Sequence, residues 1–111
     1  GADLTQANLT RAVLKLATLT GADMTDAKLS GADLTHASAE GADLTRAQGS
    51  GASFRDADLT RANLQGADLT DADLEDADMT DAKLTDANLT DADLTGAGLT
   101  MGQILATQPH P

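Results

Sequence analysis

A chain of 111 residues with 18 acidic and 7 basic side chains carries a formal charge of −11, and it contains one Phe, no Trp or Tyr and no Cys. The charge excludes non-specific attachment to nucleic acid or anionic membranes, because phosphate contacts need lysine and arginine. The lack of aromatics removes stacking platforms for bases or sugars, the lack of thiols removes disulfides and thiolate metal sites, and no apolar run is long enough to span a bilayer.

From Gly1 to Thr100 the sequence is twenty consecutive blocks of five, without insertion. The second position is Ala in every block, the third is Asp or Asn in twelve, and the fourth is large and apolar in all but two, Ala39 and Gly49. On a helix a step of five turns each fourth-position residue by roughly 140° and smears the series around the cylinder. In a flat strand the odd period throws successive copies onto opposite faces. The pattern is satisfied if the chain turns a corner once per block, so that Ala and Leu point to a common axis and successive coils stack.

Tandem A-[DN]-L-[TS]-x, as in GADLT DADLE DADMT DAKLT DANLT DADLT over residues 66–95, resembles the pentapeptide-repeat family, and the resemblance covers residues 1–100. It implies an all-β fold, a right-handed quadrilateral parallel β-helix with four blocks per coil and so about five coils. Residues 101–111 then form a C-terminal cap or dimerisation tail. The resemblance is to cyanobacterial-type members, most of which are structural or interaction modules, and more distantly to members that inhibit or protect DNA gyrase as mimics of duplex DNA. The chain begins on a repeat boundary without Met and with no signal-peptide pattern, which reads as a mature or excised form. It is expected to be soluble, in the cytoplasm, or in the periplasm or thylakoid lumen where a targeting segment has been removed.

Coil one, residues 1–20, has a single acid, Asp3, against Arg11 and Lys15, and sets Val13 and Leu16 at outward positions. These make either an apolar spot near the lower end of the stack or a contact for a cap or partner. In coils two and three, residues 21–60, an unfilled Leu-sized void at Ala39 or Gly49 costs about 2–5 kcal/mol. Phe54, the next inward residue after Gly49, is expected to fill that space, and a bulge or shifted corner is expected between Ser38 and Gly41.

Coils four and five, residues 61–100, hold ten acids against Arg61 and Lys83, which is −8 of the total. The first-position acids Asp71, Asp76, Asp81, Asp86 and Asp91 climb the corners. Asp73, Asp78 and Asp93 stand on the sides. Together these eight form a candidate partner-binding surface. Stacking blocks four apart sets Asp73 under Asp93 and Asp58 under Asp78 at about 4.8 Å, where carboxylates in water repel by somewhat under about 1 kcal/mol per pair. In the tail, Met101, Ile104 and Leu105 are candidate contacts for a cap or for a homodimer through the C-terminal coil.

Neither His36 nor His110 has a Cys or second His at ligand spacing. Asp pairs two apart, such as Asp71 and Asp73, attract Ca²⁺ in loops that add carbonyl ligands, but outward carboxylates on a coil are solvated. No metal or cofactor is expected. No nucleophile elbow, phosphate-binding glycine loop or Ser–His–Asp set occurs, so no enzyme is expected. The Thr5, Thr25, Thr45 and Thr85 column, which stacked threonines on a flat face would make ice-binding, is interrupted by Gln65 and flanked by acids. The expected partner is a protein of unknown identity, a topoisomerase in the gyrase alternative, with no direct binding to nucleic acid or membrane.

Overall fold

A computed structural model of the chain describes residues 1–109. The third residue of each block forms one parallel bridge with the residue twenty positions on: Asp3 with Asp23, Asn8 with Lys28, Val13 with Asp33, Thr18 with Ser38, and so on up to Asp73 with Asp93. Twenty residues therefore make one coil, with one block on each of four sides. A single residue per side bridges, so the ladder is built of isolated bridges instead of extended strands. Among the described residues the only helix is α1, Met101–Ala106. The shaft measures 31 × 22 × 22 Å.

The corners explain the polar positions. From Gln6 onward the first residue of each block lies in the left-handed region, whether Asp71 (φ 60°), Arg46 (φ 55°) or Gly41 (φ 66°). The amide of the following Ala donates back across the corner, as Ala47 N to Leu44 O at 3.0 Å. Positive φ confined to the third residue of the turn is the type II pattern. A third-position carboxylate locks the approach to it: Asp43 Oδ1 accepts from the amide of Thr45 at 2.9 Å. Asp and Asn make such bonds readily to a backbone N–H two residues on, which is why they recur there.

Between corners the side chains alternate, second and fourth inward, third outward. From Ala22 to Leu89 every second- and fourth-position residue is buried. Three backbone bonds per block tie coils together, as Leu64 N to Lys83 O at 2.8 Å, Gly66 N to Thr85 O at 2.8 Å and Asp68 N to Ala47 O at 2.9 Å.

That ladder corrects one expectation. No bulge or shifted corner occurs between Ser38 and Gly41, because Ser38 keeps both its bridges, and Ala39 N reaches Asp58 O at 2.8 Å and Gly41 N reaches Thr60 O at 2.9 Å. Backbone bonds that are indifferent to the side chain hold the winding, so a small inward residue alters packing alone. At Gly49 the coil above closes directly on the backbone. Nearest to where a Cβ would stand are Leu69 Cδ2 at 3.1 Å, Asp68 O at 3.3 Å and Ala52 Cβ at 3.9 Å. Leu69 stands directly above on the same side, whereas Phe54 belongs to the next side of the same coil.

The two ends differ. Above coil five, Thr100 caps α1 in a reciprocal capping box with Gln103. The Gln103 Nε2 group donates to Met79 O at 2.8 Å and Ala82 O at 3.1 Å. In the coils below, a third-position backbone N–H serves the Ala carbonyl twenty-one residues earlier, as Asp93 N serves Ala72 O. At Gln103 the side-chain amide takes that place. The backbone rejoins the ladder at Gln108, whose N–H reaches Ala87 O at 2.8 Å. At the other end, Leu4, Leu9 and Leu14 are only partly buried.

Candidate functional site

The acids of coils four and five are placed by the two local devices just described. Asp71, Asp76, Asp81, Asp86 and Asp91 sit at successive corners with φ between 58° and 60°, all exposed. The left-handed conformation is tolerated by Asp through its short polar side chain, and it turns each carboxylate outward. Asp76 leans over the corner above, where a Cβ added to Gly96 would overlap its Oδ1.

The side-standing acids are held by their own blocks. Asp78 Oδ1 accepts from Thr80 N at 3.1 Å and from Thr80 Oγ1 at 2.7 Å. Asp93 Oδ1 accepts from Thr95 N at 3.0 Å. The Thr side-chain bond, followed by the Thr backbone bond, lowers the pKa of both carboxyl groups below the ordinary value, and the same pairing lowers Asp3, Asp23 and Asp33. These five are solvent-facing anions that the fold keeps charged.

Asp73 and Asp93 stack in one bridge as the sequence predicts. They meet Glu75 in a group whose carboxylate oxygens lie within 4.8 Å of one another. Arg55 from coil three lies against this group, with Nε 3.5 Å from Asp73 Oδ2 and a terminal nitrogen bonded to Glu75 Oε2. The Glu75 hydrogen bond, then the charges of Glu75 and Asp73, raise the Arg55 pKa further. The cluster is an ion network with its own cation. Arg55 and Glu75 are absent from the residues singled out above, although their twenty-residue separation, one coil, was the readable signal. Arg46 and Asp26 repeat it, joined at 3.0 and 3.1 Å.

The tail candidates separate. Ile104 is half buried, its carbonyl accepting from Thr107 Oγ1 at 2.7 Å, while Met101 and Leu105 are exposed. His36 Nε2 lies 3.6 Å from Asp56 Oδ2 on the surface; His110 lies outside the described residues. Among the described residues no cavity opens into the shaft, and no helix is long and apolar enough to cross a membrane.

The pentapeptide-repeat family profile matches the chain in overlapping stretches, residues 1–35, 27–66 and 62–100. Among solved structures, the chain is similar to a pentapeptide repeat protein of the Arabidopsis thaliana thylakoid lumen, with a TM-score of 0.81 and 32% identity over 95% of this chain and 70% of that one. It is similar also to HetL, a pentapeptide repeat protein involved in heterocyst differentiation regulation from the cyanobacterium Nostoc sp. strain PCC 7120, with a TM-score of 0.68 and 39% identity over 86% of this chain and 48% of that one. A third is Rfr23 from the cyanobacterium Cyanothece 51142, with a TM-score of 0.50 and 36% identity over 72% of this chain and 58% of that one. The chain thus spans about half the length of HetL. No curated protein sequence matches it.

Proposed function

The chain belongs to the pentapeptide-repeat family, and on that premise we propose that it is a non-enzymatic protein-interaction module, a right-handed four-sided shaft whose acidic coils dock on a basic protein surface. One observation carries the reading: chemistry and interior are separated. Among the described residues the buried side chains are apolar except for Thr107. Every carboxylate stands on the outside, and coils four and five concentrate eight of the eleven net charges. A rigid lattice that presents fixed charge suits recognition by a complementary surface, where charge sets the encounter rate and the specificity.

The test is capture from a host extract with the wild-type chain and with a variant carrying Asn at Asp71, Asp76, Asp81, Asp86 and Asp91. Asn tolerates the left-handed corners as Asp does, so the shaft is preserved while five charges go. The reading expects a partner retained at low salt, released at high salt and missed by the variant. Identical retention by both chains would refute it.

A second reading, inhibition or protection of DNA gyrase by mimicry of duplex DNA, is favoured by the charge density of the upper shaft. Duplex DNA carries about one charge per 1.7 Å of axis. Two coils at about 4.8 Å each carry a net −8, or about one per 1.2 Å. That density extends over only about 10 Å, roughly three base pairs, which ranks the reading second. A gyrase supercoiling titration tests it: inhibition that weakens with salt and is lost in the Asn variant supports it, and no effect at large molar excess removes it.

A further inference from the structure

The four sides of the shaft differ in charge. Each side consists, in every coil, of a corner residue and the third and fifth residues of the same block. The side whose corners are Leu16, His36, Asp56, Asp76 and Gly96, side four, carries five acids and no Lys or Arg. The sides that begin at Gly1, Gln6 and Arg11 carry net −2, −1 and −3, and each holds two or three cations. Those cations neutralise neighbours, as Arg46 joins Asp26 and Arg55 joins Asp73 and Glu75. On side four Arg61, from the adjoining corner, meets Glu40, and His36 lies 3.6 Å from Asp56. Among the described residues no Lys, Arg or His stands within ion-pair distance of Asp58, Asp76 or Asp78.

The carboxylates of this side form two adjacent columns. Asp56 and Asp76 occupy successive corners at φ 57° and 58°, and Asp58 and Asp78 are bridged beside them. Each of the latter is fixed by the amide two residues on, Thr60 N at 3.0 Å and Thr80 N at 3.1 Å. Above this grid Gly96 and Gly98 add no side chain. Below it, in the same corner column as Asp56 and Asp76, stands Leu16, the only apolar corner residue of the twenty apart from glycine. Leu16 is 75% exposed and holds φ 63°, a region that L side chains larger than Asn and Asp avoid. Corner side chains point sideways from the shaft, so Leu16 belongs to the surface of side four. An unpaired acidic grid in line with one apolar residue is complementary to a surface that is basic with one apolar projection.

We infer that side four docks a basic amphipathic helix of a protein partner, laid along the shaft with Lys or Arg over Asp56, Asp58, Asp76 and Asp78 and an apolar side chain against Leu16. The inference rests on the acidic-surface reading above and gives it a side and a partner shape. Residues three and four apart lie next to one another on a helix, so one helix serves both columns, whereas a strand offers a single file of side chains to one face. Helical turns of about 5.4 Å also keep step with coils about 4.8 Å apart. From Asp76 down to Leu16 is about 14 Å, against about 16 Å for three turns, and long Lys and Arg stems take up the difference. One helix on one side buries less than about 1,200 Å² in total, the range of weak and transient contacts, and salt screens it.

Fluorescence anisotropy with the whole chain tests this. The probe is a labelled Ala-based helical peptide of eighteen residues, with four Arg spaced three and four apart and one Leu two turns beyond them; a second probe has Ala in place of that Leu. Asp58→Asn, Asp76→Asn and Asp78→Asn together remove three charges from side four. Asn tolerates the left-handed corner and keeps the bond to the amide two residues on, as Asn88 does with Thr90. Asp23→Asn, Asp68→Asn and Asp86→Asn remove three charges from two other sides as the control. The first probe is expected to bind at low salt, about tenfold more weakly to the side-four variant and less than threefold more weakly to the control. Leu16→Asn is expected to weaken the first probe at least threefold and to leave the second unchanged. No binding at low salt, equal loss in the two charge variants, or a Leu16→Asn effect equal for both probes each overturns the inference. The acidic-surface reading is judged separately, by capture with the five-corner variant.

Discussion

Gln103→Leu isolates what closes the upper end of the shaft. The change keeps the side-chain volume close to that of Gln and removes three hydrogen bonds: Nε2 to Met79 O, Nε2 to Ala82 O, and Thr100 N to Oε1. Met79 and Ala82 are buried residues, so their carbonyls lose a partner that water replaces poorly. At about 0.5–1.5 kcal/mol each, with the upper half of the range for the buried pair, the loss is about 2.5–4.5 kcal/mol. It includes half of the capping box, which belongs to the same bonds and is not counted twice. Urea denaturation analysed by linear extrapolation measures the total. Hydrogen exchange locates it: in a stack whose coils contact only their neighbours, the top frays first. The amides of Asp86 and Gln108, bonded to Ala106 O and Ala87 O, are expected to lose protection while those of Leu64 and Asp68 keep theirs. Gln103→Glu adds a control, since it retains the acceptor for Thr100 but turns a carboxylate onto two carbonyls, and it is expected to be no more stable than Gln103→Leu at neutral pH. A loss below about 0.5 kcal/mol with Asp86 still protected would refute the assignment of Gln103 as the closing residue.

Three further outcomes follow from particular contacts. Gly49→Leu restores the repeat pattern yet is expected to destabilise by about 1–3 kcal/mol, because Leu69 Cδ2 and Asp68 O already stand 3.1 and 3.3 Å from the added Cβ; a thermal melt above that of the wild type would show the space to be free. Leu16→Asn is expected to gain about 1 kcal/mol by relieving the left-handed strain, and no gain in a urea titration would mean that the corner tolerates Leu without cost. The third outcome concerns acid. Asp3, Asp23, Asp33, Asp78 and Asp93 have folded pKa values below their ordinary ones, so their stabilisation is present above the unfolded carboxyl range near about pH 4 and is lost as pH falls through the lower folded values. The melting temperature should drop below pH 4, and Thr25→Val with Thr80→Val, which deletes two of the hydroxyl donors, should flatten that drop. An unchanged pH profile in the double variant would remove the Thr bonds as its cause.

Much of the fold was legible because its rule is local and repeated. Fixed Ala and Leu at an odd spacing left a cornered coil as the arrangement that buries both, and a four-block coil places Asp73 beneath Asp93 and Asp58 beneath Asp78, as found. The failure lies where one side chain was asked to govern the backbone. Ala39 suggested a distorted corner, but three backbone bonds per block set the register whatever the inward volume. At Gly49 the atom nearest an added Cβ comes from the block twenty residues on, Leu69 Cδ2, a neighbour that the column and not the block reveals. The role of Gln103 was not legible, because the tail abandons the period and its side chain substitutes for its own backbone N–H. Within the acidic surface, corner and side positions followed from the period, while the partial neutralisation by Arg55 required attention to the column instead of the block.

The same logic assigns function to the outward positions. Each block spends its second and fourth residues on the core, and its corner is satisfied by any residue that accepts positive φ, from Gly41 to Arg46 to Asp71. Stability therefore places few demands on the choice between Asp and a neutral residue at a corner, and five successive corners of Asp in coils four and five, with Asp71 and Asp91 in one column, are mutually repulsive. Solubility alone would spread the acids evenly over the shaft. Instead the net charge runs from +1 in coil one to −5 in coil four, while the apolar outward residues Val13 and Leu16 stand at the end where the charge is least. An uneven charge along one rigid axis, with the acids gathered on coils four and five, supports the proposal that the shaft docks a basic partner along that half.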